Sequence, residues 1–293
     1  MKKSGLTISL IFEAESANYG EGFGNITVLK KMSRGDGNAY SYISRQALRY
    51  NMINQLGWDD TEVYKEGKGE KAVVQFAPNA TIDKYPEIDL FGYMKTKSKS
   101  DQGRGGATLR SAVVRLSNAI SLEPFKADLD YLTNMGLAKR KGFDNSIAQS
   151  EIHKSFYAYT ITIDLDRIGV DEDIEIENAE KARRVKAFLK TVSTLYRDIK
   201  GRRENLSPVF AIGGTYERKN PFFENRLSLK NKELDLEKIL SVINSFDELK
   251  ENTLVGYIDN TFANDDEIKE SLDPLSIGDF FQKFMDKVDE YYG

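Results

Sequence analysis

The apolar residues of this chain recur at two spacings, and each spacing predicts one kind of element. Between residues 5 and 13, apolar side chains alternate with small or polar ones, which predicts a half-buried strand. The strongest predicted strand covers 155–165, with the sequence SFYAYTITIDL. The same reasoning predicts further strands at about 72–77, 88–94, 209–216, 222–230 and 253–258.

Apolar residues spaced three to four positions apart predict four helices. The first covers 41–56, with Ser41 as its candidate N-cap and Gly57 at its end. The others cover about 178–200, 235–249 and 275–291. The last one carries a stripe of large apolar residues, namely Ile277, Phe280, Phe281, Phe284, Val288 and Tyr291. A stripe at this spacing predicts a helix that faces the core, rather than a cofactor site.

The order of these elements predicts an α+β fold. From residue 6 to 216 the chain reads strand–helix–strand twice, which is a ferredoxin-like plan with long insertions. The RNA-recognition motif (RRM) has the same plan. We therefore expect one modified RRM/ferredoxin-like domain over 1–293. Its insertions fall at about 58–87 and 95–150, and an acidic α/β extension covers about 217–293.

Composition excludes several kinds of chemistry. The chain has no cysteine, which excludes disulfides and thiolate metal sites. Its single histidine, His153, lies in a strand-like segment where we expect a structural role, and we predict neither a metal nor a cofactor. The apolar run from Leu6 to Phe12 is too short and too polar for a signal peptide, and no segment approaches the roughly 20 apolar residues of a membrane helix. We therefore expect a cytoplasmic protein without membrane contact.

The charge of the chain is unevenly distributed. The net charge is −4, but residues 1–55 carry seven Lys/Arg against four Asp/Glu, and residues 95–160 carry eleven against six. Residues 221–293 carry eight against seventeen. A local basic surface governs phosphate binding more than the total charge does, so the first two segments are candidates for contact with nucleic acid. The alternative is that the asymmetry reflects only a solvated acidic face.

The strongest candidate site is the start of the first predicted helix. Ser44, Arg45, Gln46 and Arg49 lie there, and two arginines four positions apart share one helix face. Such a helix start can hold phosphates through its side chains and its free N–H groups. The alternative is a solvated helix end. The preceding segment adds a glycine-rich loop, residues 19–25, and the basic pair Lys30 and Lys31.

Three other features of the sequence are alternatives to this site. The loop with Gly20, Gly22 and Gly24 does not open a helix, so it fails the test for a dinucleotide-binding motif. The pair Arg202 and Arg203 is predicted to follow a helix C-terminus, where cations are favourable for the helix dipole alone. The polar tract 95–106, which includes Arg104, is expected to be a mobile loop or a flexible arm that contacts phosphates.

Taken in order, four segments of the chain resemble one known family. They are the strand at 6–13, the loop at 18–25, the helix start at 43–49, and the segment GRRENLSPVF at 201–210. Together they look like the backbone subunit of type I-B CRISPR effector complexes (Cascade), the DevR-like branch of the repeat-associated (RAMP) superfamily. The resemblance covers about residues 5–216.

The resemblance implies a function and a set of contacts. It implies a hand-shaped RRM-like palm with finger-like and thumb-like insertions, several copies of which form a helical filament along one guide RNA (crRNA). The bases would stay exposed for pairing with target DNA, other Cascade subunits would be partners, and protein contacts would fall on phosphate and sugar. The RNA-binding residues implied by the motif are Ser44, Arg45, Gln46 and Arg49, and those implied by position and charge are Asn25, Lys30, Lys31, Arg104, Arg202 and Arg203.

Two alternatives to a non-catalytic scaffold remain open from the sequence. Some relatives in the superfamily cut RNA with a loop aspartate, and Asp36, which lies beside the basic cluster, would be that residue here. The simplest role for Asp36 is nevertheless that of a turn residue. The second alternative is a stand-alone module that binds RNA or protein.

Overall fold

The computed structural model describes residues 4–15, 18–20, 22, 24–67, 69, 72–97 and 106–293. In these ranges the strands are β1 Gly5–Ala14, β2 Ile26–Thr27, β3 Lys31–Ser33, β4 Ala39–Ile43, β5 Val63–Glu66, β6 Val73–Phe76, β7 Tyr93–Lys97, β8 Gly106–Arg110, β9 Val114–Leu116, β10 Ala119–Ser121, β11 Asp128–Thr133, β12 Ile147–Ile152, β13 Ser155–Asp164, β14 Val170–Asp171, β15 Ile174–Glu175, β16 Tyr196–Ile199, β17 Arg202–Asn205, β18 Phe210–Tyr216, β19 Leu229–Lys230, β20 Glu233–Leu234, β21 Thr253–Tyr257 and β22 Leu275–Ser276. The α-helices are α1 Arg45–Leu56, α2 Pro86–Phe91, α3 Met135–Ala138, α4 Asn178–Ser193, α5 Leu236–Ile243, α6 Asp247–Asn252, α7 Asp265–Leu272 and α8 Ile277–Tyr292. The predicted α+β class is confirmed.

One large sheet organises the described part of the chain. Its strand order is β22-β21-β18-β1-β13-β10-β4-β3, and β9 also pairs with β13. The central strand β1 is antiparallel to both β13 and β18. The remaining strands form small sheets, of which β5–β6, β7–β8 and β11–β12 are antiparallel pairs. The long predicted strand at 155–165 is confirmed as β13.

The prediction that β1 is half-buried is wrong, because both faces of this strand are covered. Leu10 and Phe12 belong to a core that also includes residues of α1, α4 and α8. Ile11, which points the opposite way, belongs to a second core with residues of β18, β21 and α5. The small polar residues between them, Thr7 and Ser9, are also buried. The alternation of apolar and polar residues therefore identified the strand, but it did not show that both faces of the strand are buried.

The C-terminal part of the chain contributes to the main sheet and to its core. Strands β21 and β22 extend the sheet beyond β18, and the predicted apolar stripe of α8 is buried as expected at Phe280, Phe281, Phe284 and Val288. The predicted strand at 222–230 is wrong, since only Leu229–Lys230 is extended. Asn225 has a positive φ of 60°, which interrupts any strand there. The helix predicted at 235–249 is divided into α5 and α6.

Two predicted helices are too long, because strands and a turn occupy residues to which the helix periodicity was extended, and one predicted strand is largely a helix. Ser41 is buried in β4, and Ser44 is the N-cap of α1. Residues 88–94 were predicted as a strand, but they belong largely to α2. Pro86 is the first residue of this helix, a position that proline favours. Helix α4 ends at Ser193, well before residue 200.

The segment after α4 is a tight hairpin. Strands β16 and β17 pair in register, from Tyr196 with Asn205 to Ile199 with Arg202. Lys200 and Gly201 connect them with φ values of 50° and 78°, as a two-residue type I′ turn requires. Arg202 and Arg203 therefore lie on a strand of a hairpin, and the prediction that they follow a helix C-terminus is wrong.

A buried ion cluster joins the segment around α2 to α4. The Asp89 side chain is fully buried, and its two carboxylate oxygens accept hydrogen bonds from Arg110 at 2.7 Å and from Arg184 at 2.8 Å. The N–H of Gly169 also donates to Asp89, at 2.9 Å. Both guanidinium groups are 2% exposed. Asp89 thus links two cations that are shielded from water, and each has one further carboxylate, Asp171 at 3.4 Å from Arg110 and Glu180 at 2.8 Å from Arg184.

The single histidine is part of the core, as the sequence predicted. Nδ1 of His153 shares a 2.7 Å hydrogen bond with the Ser41 hydroxyl, which also lies 2.8 Å from the hydroxyl of Tyr157. The ring packs edge-on against Phe125 at 5.4 Å between centroids. Burial lowers the pKa of His153 below its ordinary value, against the opposing charge of Glu123. The folded state therefore holds the neutral ring.

We expect His153 to make the fold less stable in mild acid. Below its unfolded pKa of about 6.5, the unfolded chain binds a proton that the folded chain resists, so the free energy of unfolding falls as the pH decreases. Urea midpoints at pH 7.5 and 5.5 should show a larger loss in the native chain than in the variant His153→Gln. Equal losses in the two proteins would contradict this account.

Candidate nucleic-acid interface

The start of α1 is held in place by two asparagines from distant parts of the chain. The Ser44 hydroxyl caps the helix by accepting from the N–H of Ala47 at 3.3 Å. The side-chain oxygen of Asn18 accepts from the N–H of Ser44 at 2.6 Å, and that of Asn118 accepts from the N–H of Arg45 at 2.9 Å. The first turn is therefore fixed before any ligand arrives.

This capping changes the predicted role of the helix N–H groups. Those of Ser44, Arg45 and Ala47 already have protein partners, and that of Leu48 donates within the helix to the Ser44 carbonyl. Of the N–H groups from Ser44 to Leu48, that of Gln46 alone has no acceptor among the described residues. The prediction of several free N–H groups for phosphate is therefore wrong, because Asn18 and Asn118 fill those positions.

The side chains at this helix start divide into two kinds. Arg45 and Gln46 are exposed, and neither has a side-chain partner among the described residues. Arg49 is half-buried, donates to Glu87 at 2.9 Å and lies over the ring of Phe91 at 4.9 Å. Arg45 is thus the cation available to a ligand, whereas the contacts of Arg49 attach α1 to α2.

The two lysines of the basic pair before β4 also differ in their contacts. The backbone of Asn18 links Lys30 to the helix start, because the N–H of Lys30 donates to the Asn18 carbonyl at 2.7 Å. The Lys30 side chain is exposed and has no partner in the ranges described. Lys31 is paired with Glu151 at 2.7 Å. Asn25 is exposed, and its carbonyl accepts from the β12 backbone.

The cations of the β16–β17 hairpin are engaged in ion pairs. Arg202 contacts Glu15 and Glu204, both at 3.1 Å. Arg203 donates to Asp198 at 2.9 Å, and both side chains are more than 60% exposed. Arg104, a further predicted contact, lies outside the described residues.

A groove of about 770 Å³ lies beside the start of α1 and was not predicted from the sequence. Four cations that line it are Arg34, Arg45, Arg115 and Lys219, with Asp164 and Glu224 as the lining carboxylates. Arg115 forms a two-point ion pair with Asp164 at 2.9 and 3.0 Å. The cations come from four segments that only sheet pairing brings together. A signal was present in the basic excess of residues 95–160, but it did not single out Arg115.

Comparison with known proteins identifies the family. Residues 6–232 match the family described as "CRISPR-associated negative auto-regulator DevR/Csa2". The chain belongs to the DevR/Csa2 family. This confirms the family resemblance found in the sequence.

Relatives of this DevR/Csa2 chain agree with the assignment. It is 26% identical over 165 residues to "CRISPR-associated protein Cas7/Cst2/DevR" of Myxococcus xanthus (strain DK1622), an alignment that covers 52% of the chain and 54% of that protein. The chain thus spans about half the length of that curated relative.

Two solved structures share the fold of the DevR/Csa2 chain. One, "CRISPR RNA-guided surveillance complex, pre-nicking", is 12% identical with a TM-score of 0.60 and covers 97% of this chain and 100% of that one. The other, "CRISPR RNA-guided surveillance complex", is 15% identical with a TM-score of 0.53 and covers 87% and 90%.

The loop aspartate of the DevR/Csa2 chain is held by its own turn. Asp36 accepts hydrogen bonds from the hydroxyl of Tyr40, at 2.5 Å, and from the N–H of Asn38, at 3.0 Å. These donors lower the pKa of Asp36, the Tyr40 hydroxyl most of all, so the carboxylate is a weaker base than an ordinary aspartate. This geometry is that of a turn residue.

Two further properties of the DevR/Csa2 structure concern metals and membranes. Within 4–15, 24–67, 72–97, 106–293 and the few other described positions, no three His, Asp or Glu side chains are grouped as metal ligands. None of the described helices combines the length and apolar character needed to span a bilayer.

Proposed function

We propose that this chain is a non-catalytic scaffold that binds crRNA in a type I CRISPR interference complex. Copies of the chain line up along the guide as a filament, together with other Cascade subunits, and present the bases for pairing with target DNA. Family membership supports this reading. So does the observation on which it chiefly depends: at the rigidly capped start of α1, an exposed guanidinium has no partner among the described residues, and it lies beside a lysine that likewise has none there and beside a groove lined by cations.

The proposed contact surface starts at Arg45 and Gln46 and continues through Asn18 to Lys30. Its side chains can reach phosphate oxygens without first breaking an ion pair, and phosphate contacts position a strand without reading its sequence. Ser44 acts in this surface mainly as the cap that orients its neighbours. The other proposed contacts, at Asn25, Lys31, Arg49, Arg104, Arg202 and Arg203, are secondary, since most of those that the structure describes are engaged within the protein.

The proposed palm consists of strands β18, β1, β13 and β9. In this order β1 is antiparallel to β18 and β13, and β9 is antiparallel to β13, as in a ferredoxin-like sheet. Side chains of α1 and α4 pack into the same core on one face. We assign the segments at about 58–87 and 95–150 as the finger-like and thumb-like insertions, except that β9, within the second segment, belongs to the palm sheet. The part from about 217 on is an acidic extension built onto the palm.

The direct test is to purify the chain together with the proteins encoded beside it. We expect a particle much larger than 33.2 kDa that contains RNA of defined length, seen by absorbance ratio and gel analysis of the extracted nucleic acid. A monomer without RNA would contradict the scaffold and support a stand-alone module. Regular cleavage of target RNA that is lost in Asp36→Ala would instead support an endonuclease.

A further inference from the structure

Strands β11 and β12, with the short helix α3 between them, form a hairpin arm that covers residues 126–152. From Lys126 to Ala148, every residue except Ala138 is exposed. The arm joins β2 in a three-stranded sheet that is separate from the main sheet. In the described part of the chain, contacts at the base of the arm therefore decide how this small sheet is held against the main one.

Both ends of the hairpin arm meet at the ring of His153. Phe125, where the chain enters the arm, packs edge-on against this ring, and its N–H donates to the Ala39 carbonyl at 2.8 Å. His153 follows β12 at the exit of the arm, and its N–H donates to the Glu15 carbonyl at 2.9 Å. The histidine is 6% exposed, so water reaches the ring only if the base of the arm separates.

Hydrogen bonds of buried side chains tie the same ring to the main sheet. The Ser41 hydroxyl of β4 lies 2.7 Å from Nδ1 of His153 and 2.8 Å from the hydroxyl of Tyr157 in β13. The Tyr157 hydroxyl donates to the His153 carbonyl at 2.9 Å. Burial raises the pKa of Tyr157, so this hydroxyl keeps its proton at neutral pH. Three residues thus join the exit of the arm to two strands of the main sheet.

The charges that face the ring do not compensate for its burial. Glu123, in the segment that enters the arm, and Asp128, at the start of β11, favour the protonated ring, as does hydrogen bonding to the Pro124 carbonyl. Burial outweighs all three, so the pKa of His153 is lowered. The arrangement therefore resists a proton that an exposed imidazole would accept.

The contacts on the outer side of Phe125 add no net charge. Lys31 of β3 lies over the Phe125 ring at 4.3 Å, and its ammonium is paired with Glu151 of β12 at 2.7 Å. Glu151 also accepts from the N–H of Leu29 at 2.8 Å. These contacts hold β12 beside the segment between β2 and β3, so that the small sheet can move as one unit.

We propose that His153 is a proton-operated clasp at the base of the hairpin arm. The neutral ring holds the sheet of β11, β12 and β2 against the main sheet, and a proton on the ring favours a state in which the base of the arm has separated. The cause is linkage between the two equilibria. An imidazole that reaches water binds a proton with a pKa of about 6.5, whereas the closed state resists that proton, so acid shifts the population toward the open state.

The clasp reaches the proposed RNA surface through β2. Asn25 precedes this strand, and its carbonyl accepts from the N–H of Gln149 in the arm at 3.0 Å. Lys30 lies between β2 and β3. Opening of the base therefore displaces two of the proposed RNA contacts. This consequence rests on the proposed function, but the clasp does not, and the test is made without RNA so that each can fail separately.

Hydrogen exchange of the full-length chain, corrected for the intrinsic effect of pH, measures the opening. The reporting amides are those of Phe125 and His153, because opening breaks their hydrogen bonds. Between pH 7.5 and 5.5, an exposed imidazole goes from about 10% to about 90% protonated, so protection of these amides should fall about tenfold. His153 is the only histidine of the chain, and in His153→Gln the two protections should agree within about twofold.

Two controls separate the clasp from unfolding of the whole chain. Amides of α8 report global unfolding, and 1 M urea should accelerate their exchange far more than that of the two amides at the base, because local opening exposes little surface. Tyr157→Phe removes the hydroxyl that holds Ser41 and the His153 carbonyl. This variant should lower protection at the base at both pH values and keep the tenfold ratio.

The native chain alone provides a second measurement if His153→Gln does not fold. Protection at the base should be constant above about pH 7.5 and should fall about tenfold per pH unit below about pH 6. A flat profile, or a tenfold ratio that persists in His153→Gln, would overturn the inference. Base amides that follow α8 in both pH and urea would also overturn it, since the arm would then open only with the whole fold. The proposed function would stand in each case.

Discussion

Replacing Asp89 by asparagine should lower the free energy of unfolding by about 3–5 kcal/mol, the cost typical of breaking a buried ion pair from one side. The variant leaves Arg110 and Arg184 in place with no carboxylate between them. An amide has one acceptor oxygen, and its NH₂ group would face a guanidinium that can only donate. Urea denaturation measures the effect as a lower midpoint at an unchanged slope.

The matched control for Asp89 is Asp198→Asn. Asp198 pairs with Arg203 at 2.9 Å, but both side chains are more than 60% exposed, so water replaces the lost contact. We expect that variant to lose under about 1 kcal/mol. Similar losses of stability at the two positions would mean that water reaches the Asp89 cluster, which would contradict the structure.

The Asp89 cluster also bears on the proposed function. Asp89 lies in α2, Arg110 ends β8 and Arg184 lies in α4, so the cluster connects β8, in the second proposed insertion, with a helix of the proposed palm. Glu180 supports it from the exposed side, where hydrogen bonds from Arg183, and then from Arg184, lower the pKa of Glu180 to about 2. The orientation of the insertion thus depends on charges that cannot rearrange at low cost.

How far the fold could be predicted depended on the separation along the sequence between the residues that contact each other. Strand β13 and helix α8 were predicted nearly to their ends, because the periodicity of their own residues reports which face is buried. The β16–β17 hairpin was missed, because Tyr196–Ile199 continues a helical pattern and only pairing with Arg202–Asn205 makes it extended. The pattern of apolar residues within this segment could not show that strand pairing would prevail over helix formation.

The candidate site was predictable in outline but not in its details. Residue types and order placed Ser44 and Arg45 near the start of a helix, but they predicted the N-cap at Ser41, three residues before its position in the structure. The ion pair of Arg49 with Glu87 spans 38 positions, so sequence could not separate the free arginine from the engaged one. The cationic lining of the groove includes Arg34, Arg115 and Lys219, which come together only after the strands of the main sheet have paired.

Truncation of Arg45 is the second change from which we expect a large effect. The combined variant Arg45→Ala and Arg49→Ala should weaken RNA binding regardless of sequence, and it should flatten the dependence of log affinity on log salt by up to about 1.4, at roughly 0.7 for each lost single-strand contact. We expect the two arginines to contribute unequally to this effect. Arg45→Ala alone should account for most of it, because the Arg45 guanidinium is exposed and has no partner in the described ranges.

Arg49→Ala should act mainly on stability, since it removes a half-exposed ion pair and a contact with a ring that together are worth about 1 kcal/mol. Arg183→Ala is the matched control, because it removes an arginine that is 56% exposed on α4, a helix that packs on the face of the main sheet opposite to the groove. Anisotropy titrations of oligouridine at several salt concentrations give the three slopes. If Arg49→Ala and Arg45→Ala flatten the slope equally, then the Arg49 side chain leaves Glu87 and contacts the RNA when RNA binds. If neither differs from Arg183→Ala, then the start of α1 is not the RNA contact.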